Sequence, residues 1–144
     1  MDILDVLKDP RTKWTREAPA NRELVERLVT ESAVRLPGEY LALLRYSNGG
    51  EGELGIEPGW FQLWPAEAVM SLNEAYEVGQ NLPGFLGFGS NGGGELLAFD
   101  TQSGIAGQVY AIPFIPMTTE GARVVANDFS AFVRAMGHEY EDAQ

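Results

Sequence analysis

No cysteine occurs among the 144 residues, which excludes disulfides, thiol nucleophiles and thiolate-bound zinc. Lysine is almost as scarce: Lys8 and Lys13 are the only two, and none follows them. The single histidine, His138, stands in an acidic tail just past Gly137, so a histidine-dependent triad has no well-placed base. No hydrophobic run is long. The most apolar stretch, Val109 to Met117, is broken by Pro113 and Pro116 and falls far short of the ~20 residues that cross a bilayer. The opening Met1-Asp2-Ile3-Leu4-Asp5 has neither the basic start nor the apolar run of a secretory signal. These absences together lead us to expect a cytoplasmic protein.

What is present fits a globular chain: 44% of residues are hydrophobic and 22% charged, which is enough apolar material for a real core. We expect one domain over residues 1–144, with its core at about 22–136, an N-terminal arm at 1–20 and a tail at 138–144. The net charge is -11, unevenly spread. Residues 1–36 balance seven acidic against seven basic side chains, whereas residues 37–100 set nine carboxylates against Arg45 alone. A surface so one-sided repels phosphate backbones and anionic lipids, which argues against direct nucleic-acid or membrane partners. It steers a basic protein inward. Solubility alone would also account for the acidity.

Hydrophobic spacing predicts helices first. Ile3, Leu4 and Leu7 mark a short one ending before Pro10, and Asn21 caps a second with Leu24, Val25, Leu28 and Val29 inward. A third begins at Pro37, buries Tyr40, Leu41, Leu43 and Leu44, and stops at Asn48-Gly49-Gly50. The period then changes. Trp60 to Trp64 alternates as a strand, with Trp60, Gln62 and Trp64 on one face and Phe61 and Leu63 on the other. Pro65 opens an inserted helix carrying Ala68, Val69, Leu72, Ala75 and Tyr76 and stopped by Gly79. Residues 85–88, 95–99, 108–112 and 123–125 read as strands, and Asn127 or Asp128 caps a last helix with Phe129, Phe132, Val133 and Met136 inward. The fold class expected is α+β: a mainly antiparallel sheet of about five to six strands, packed with N-terminal helices, one inserted helix and a C-terminal helix.

Few motifs carry chemistry. The cluster Gly89-Ser90-Asn91-Gly92-Gly93-Gly94 lacks the lysine and following helix of a phosphate loop, and Glu95 would face the phosphate, so it reads as a hairpin turn. Glu51, Glu53, Glu57, Glu95 and Asp100 could in principle pair for glycoside hydrolysis or bind calcium, but their spacing matches no calcium loop, and an acidic rim is the simpler account. A partly exposed tryptophan beside these glutamates would make an interface anchor.

The ordered set Leu36-Pro37, Tyr40, Leu44, Asn48-Gly49-Gly50, Trp60, Gly92-Gly93-Gly94-Glu95, Asp100, Val109-Tyr110 and Phe129-Ser130-Ala131-Phe132-Val133 resembles the SUKH superfamily, in its branch similar to the fungal Smi/Knr cell-wall-synthesis regulators. The segment with Trp14 and the run Pro113-Phe114-Ile115-Pro116 stand outside that pattern. The resemblance implies a non-catalytic, protein-binding α+β domain with no cofactor and no metal. Bacterial members of the family are commonly immunity proteins that neutralise polymorphic or contact-dependent toxins, many of them nucleases. A basic toxin domain is therefore the expected partner, met at Glu51, Glu53, Glu57, Trp60 and Glu95. Two other readings stay open at this stage: a regulatory scaffold, and a carboxylate-dependent hydrolase or metal-binding enzyme.

Overall fold

The computed structural model describes residues 2–138. Its helices are α1 (Ile3–Lys8), α2 (Arg22–Ser32), α3 (Gly38–Tyr46), α4 (Ala66–Ala75), α5 (Val78–Asn81) and α6 (Phe129–Arg134). Its strands are β1 (Thr15–Arg16), β2 (Gly50–Glu53), β3 (Trp60–Leu63), β4 (Phe85–Ser90), β5 (Glu95–Asp100), β6 (Val109–Pro113) and β7 (Arg123–Ala126). All seven strands join one antiparallel sheet in sequence order, so each strand pairs with the next along the chain. The class is α+β, as expected. The two extra strands, β1 and β2, are a two-residue segment and a Gly-Glu-Gly-Glu run; neither has apolar alternation, so no periodicity announces them.

Local chemistry sets the helix ends. The Asn21 side chain accepts a hydrogen bond from the Leu24 amide at 2.9 Å, and Asp128 accepts one from Ala131 at 2.8 Å, each satisfying a first-turn donor that has no partner within its helix. Pro37 and Pro65 sit at the N-caps of α3 and α4 in extended conformation. Two expectations change. Val29 is 43% exposed, because α2 buries only the narrow stripe of Val25 and Leu28. The inserted helix ends at Ala75, and the left-handed Glu77 starts the separate α5, which runs through Gly79 and turns Tyr76 outward.

One face of the sheet holds an aromatic core. Phe61, Phe88 and Phe99 meet Tyr40 of α3 and Phe129 and Phe132 of α6, all but fully buried. Phe88 stacks on Phe99 at 4.3 Å, and Tyr40 stands edge-on to Phe88, Phe99 and Phe129. Residues 1–20, read as an arm, contribute to this side: Ile3 and Leu7 are buried where α1 meets α3 and α6. Alternation turns Leu96, Ala98 and Ile112 to the other face, where α4 closes on β4. Asn73 seals that joint. Its amide nitrogen donates to the Val69 and Gly87 carbonyls, and its oxygen accepts from the Gly87 amide at 2.8 Å.

Candidate partner-binding face

The string Ser47-Asn48-Gly49-Gly50 does more than stop a helix. The buried Ser47 hydroxyl donates to the Gly49 carbonyl at 2.6 Å and accepts from the Trp14 indole and the Glu17 amide. Asn48 accepts from the Ala66 amide at 2.7 Å and donates to Glu67, so it ties α3 to the first turn of α4. At Gly50, with φ at +110°, a Cβ would lie 2.5 Å from the Thr15 carbonyl oxygen, so only glycine lets β1 approach β2 this closely. This hub fixes where β2 begins and therefore where Glu51 and Glu53 point.

The register then places side chains. Glu51 is opposite Gln62 and Glu53 is opposite Trp60, so all four share one face, the face on which α4 packs further along. Trp60 is 38% exposed, and its indole N–H donates to a Glu51 carboxylate oxygen at 2.9 Å. The ring is thus held in one orientation with an open face. The expected sharing of a face by Trp60 and Trp64 leads to different fates, since Trp64 is buried beneath Tyr76 at 6.0 Å and Trp60 is left uncovered.

Glu57 and Glu95 lie elsewhere. Glu95 alternates to the opposite face, and both carboxylates converge on Arg123 of β7, whose guanidinium lies 2.6 Å from Glu95 and 3.0 Å from Glu57. Hydrogen bonding to Glu95 first, and to Glu57 after it, holds Arg123 further above its already high pKa. The five residues singled out from the sequence therefore form two groups at one end of the sheet. Glu53 and Trp60 are exposed, Glu51 is half-buried and accepts from the Trp60 N–H, and Glu57 and Glu95 are engaged by Arg123. Asp100, at the far end of β5, uses its side chain to receive the Gln102 amide.

Between the groups runs the hairpin turn after β4. The Asn91 side chain accepts from the Gly93 and Glu95 amides at 3.0 Å, Ser90 accepts from Gly92, and Gly92 takes φ +75°, where a Cβ would lie 3.3 Å from the Trp60 ring. The glycine cluster is a hairpin turn, as its sequence context predicts. On the same side as Trp60, a hollow of 460 Å³ opens between β1, β2, β3 and α4; Leu63, Trp64 and Leu72 line it with the carboxylates Glu17 and Glu51. A larger cleft of 820 Å³ lies between α2 and α4, away from all five residues.

Glu57 and Glu95 meet on the Arg123 guanidinium. Among the described residues, no group of three or more His, Cys, Asp or Glu side chains gathers to hold a metal ion, and no helix is long and apolar enough to cross a membrane. Tyr76 and Phe114, which the sequence reasoning missed as surface groups, extend the open face. Phe114 packs on Tyr76 at 4.8 Å, and Tyr76 is 45% exposed. The sequence signal for Phe114 is a run of apolar residues interrupted by prolines, whereas Tyr76 reads as part of the inserted helix's apolar face.

The fold is a seven-stranded meander with helices on both sides, and Trp60 and Tyr76 are exposed on one face of it. The chain belongs to the SMI1 / KNR4 family (SUKH-1), whose family model matches residues 19–135. That family includes immunity proteins and typically engages protein partners. No curated protein matches the chain.

Proposed function

We propose that the protein is an immunity protein, which binds a basic toxin domain inside the cell that makes the toxin and neutralises it by occlusion. The observation that carries this reading is the face built by Glu51, Glu53 and Trp60: a tryptophan set in place by a carboxylate, in a chain with no lysine or arginine between Arg45 and Arg123. Desolvated tryptophans dominate many interfaces, and a carboxylate rim gives attraction at a distance and fixes orientation. A toxin that cuts nucleic acid needs a positive surface to hold it, so an acidic inhibitor can occupy that surface directly. The hollow beside Trp60 has the lining to take a lysine or arginine side chain, with Leu63, Trp64 and Leu72 along its stem and Glu17 and Glu51 near its charge. An interface of standard size would bury ~1,600 Å² in all. Glu57 and Glu95 hold the end of the sheet through Arg123 and contribute field more than contact.

The test is rescue. The toxin domain encoded beside this gene is expressed in susceptible cells with and without this protein, and the pair is then co-purified at low and moderate salt. Survival together with a complex that weakens as salt rises is the expected result. Undiminished toxicity and no complex, despite good expression, would overturn the immunity reading for that toxin and shift the weight to a regulatory scaffold.

A further inference from the structure

The run Phe114-Ile115-Pro116-Met117 leads out of β6; Phe114 packs on Tyr76, and the residues after it have no part in the face described so far. Ile115 is 92% exposed, more than any other large apolar side chain among the described residues. A lone exposed apolar residue is ordinary and needs no explanation, and Ile105 and Val124, about half exposed, are of that kind. Ile115 differs in its neighbours and in how firmly its loop is held.

The Phe114 amide donates to the Gly94 carbonyl at 2.9 Å, and the Phe114 ring rests on Tyr76, itself stacked on the buried Trp64. Further along, Thr118 caps a short 3-10 turn by accepting from the Gly121 amide, and Gly121 lies against Pro113. The loop is pinned at both ends. It follows that Ile115 is presented to solvent from a fixed base, next to the glycine turn that Phe114 bonds at Gly94, and a Cβ at Gly92 of that turn would lie 3.3 Å from the Trp60 ring. Trp60, the bare turn Gly92–Gly94 and Phe114-Ile115 follow one another at this end of the sheet, and two carboxylates not held by Arg123 accompany them: Glu53 opposite Trp60 and Glu120 in the loop itself.

We propose that Ile115 is the apolar anchor of this surface and sets which partner is accepted. The occupant it fits is a basic protein domain with an apolar pocket bordered by lysine or arginine side chains. The pocket takes Ile115 while those cations face the flanking carboxylates, and Trp60 gives a second anchor across the glycine turn. An apolar anchor at the centre with charges around it matches the usual division between what holds an interface and what steers it. The inference rests on the protein-binding reading above and adds the contact that decides affinity.

The experiment measures the dissociation constant of the complex with the neighbouring toxin domain, by calorimetry, for Ile115→Ala, Ile115→Asp, Ile105→Asp and the double variant Glu51→Gln/Glu53→Gln. Each variant's melting temperature is recorded first; Ile115 and Ile105 are exposed, so their variants should melt like the parent. Ile115→Ala should weaken binding about tenfold with the salt dependence unchanged, and Ile115→Asp about a hundredfold. Ile105→Asp should bind as the parent does. The glutamine pair should flatten the salt dependence. If Ile115→Asp binds within about twofold of the parent while the glutamine pair weakens it, the anchor is wrong and the acidic face stands. If neither changes binding, the partner sits elsewhere and both fail. If no complex forms at all, the protein-binding reading falls for that toxin and the anchor falls with it.

Discussion

Two sets of aromatic rings lie a short way apart in this molecule and live under opposite rules. In the core, Tyr40, Phe61, Phe88, Phe99, Phe129 and Phe132 pack edge to face and exclude water completely. At the end of the sheet, Trp60, Tyr76 and Phe114 are partly open and held by defined contacts: a carboxylate for Trp60, the Trp64 and Phe114 rings for Tyr76, and the Tyr76 ring for Phe114. The polar atoms follow the same division. The Trp60 N–H has its acceptor, whereas the Tyr40 hydroxyl is buried with no hydrogen-bond partner among the described residues. Rings that stabilise are enclosed on all sides; rings that recognise are oriented and left uncovered.

The largest effect should come from the enclosed set. Phe88→Ala removes the ring that meets five other aromatic rings, and is expected to lower stability by about 3–5 kcal/mol in urea unfolding, enough to unfold a marginal domain. Trp60→Ala should do the reverse: it should shift the unfolding midpoint little and cost about 2 kcal/mol in partner binding by calorimetry. A large loss of stability on Trp60→Ala would erase the division drawn here.

Tyr40→Phe sharpens it from inside. Removing a hydroxyl that is buried without a partner should leave stability equal or raise it by about 1 kcal/mol at neutral pH. Burial pushes the Tyr40 phenol well above its ordinary value of 10.0. Above pH 10 the unfolded chain releases this proton and the folded one retains it, so stability falls as pH rises. Tyr40→Phe should remove its share of that alkaline loss, which unfolding curves at pH 8 and pH 11 would register. The smallest effect belongs to Arg123→Gln. The pair it breaks is partly exposed, so the stability change should stay within about 1 kcal/mol. It frees Glu57 and Glu95, and binding of a basic partner should become more sensitive to salt.

The core was largely legible from the chain. Asn21 and Asp128 declare their helices because a side-chain cap is a local interaction, and Phe61 and Leu63 declare their burial by alternation. The end of the sheet was legible only in part. Trp60 and Glu51 were named, and the register that places Glu51 diagonally beside Trp60 was not, because Gly-Glu-Gly-Glu has the composition of a turn. The engagement of Glu57 and Glu95 by Arg123 joins residues 66 and 28 positions apart, and no spacing rule reaches that far. Tyr76 was expected inward on a helix continuing to Gly79; the left-handed Glu77 breaks that helix and leaves Tyr76 outside, against Phe114.

The position of α6 along the chain governs when the fold can close. Phe129 and Phe132 come from the last helix, yet they sit in the middle of the aromatic core against Phe61 and Phe88. As the polypeptide leaves the ribosome, every strand can be synthesised and paired while the ring cluster still lacks two of its members. Until α6 emerges and docks, the nascent sheet presents phenylalanines to water, and this is the interval in which chaperones and proteases compete for it. A stop codon just before Phe129 would leave all seven strands intact and still yield a chain destined for degradation.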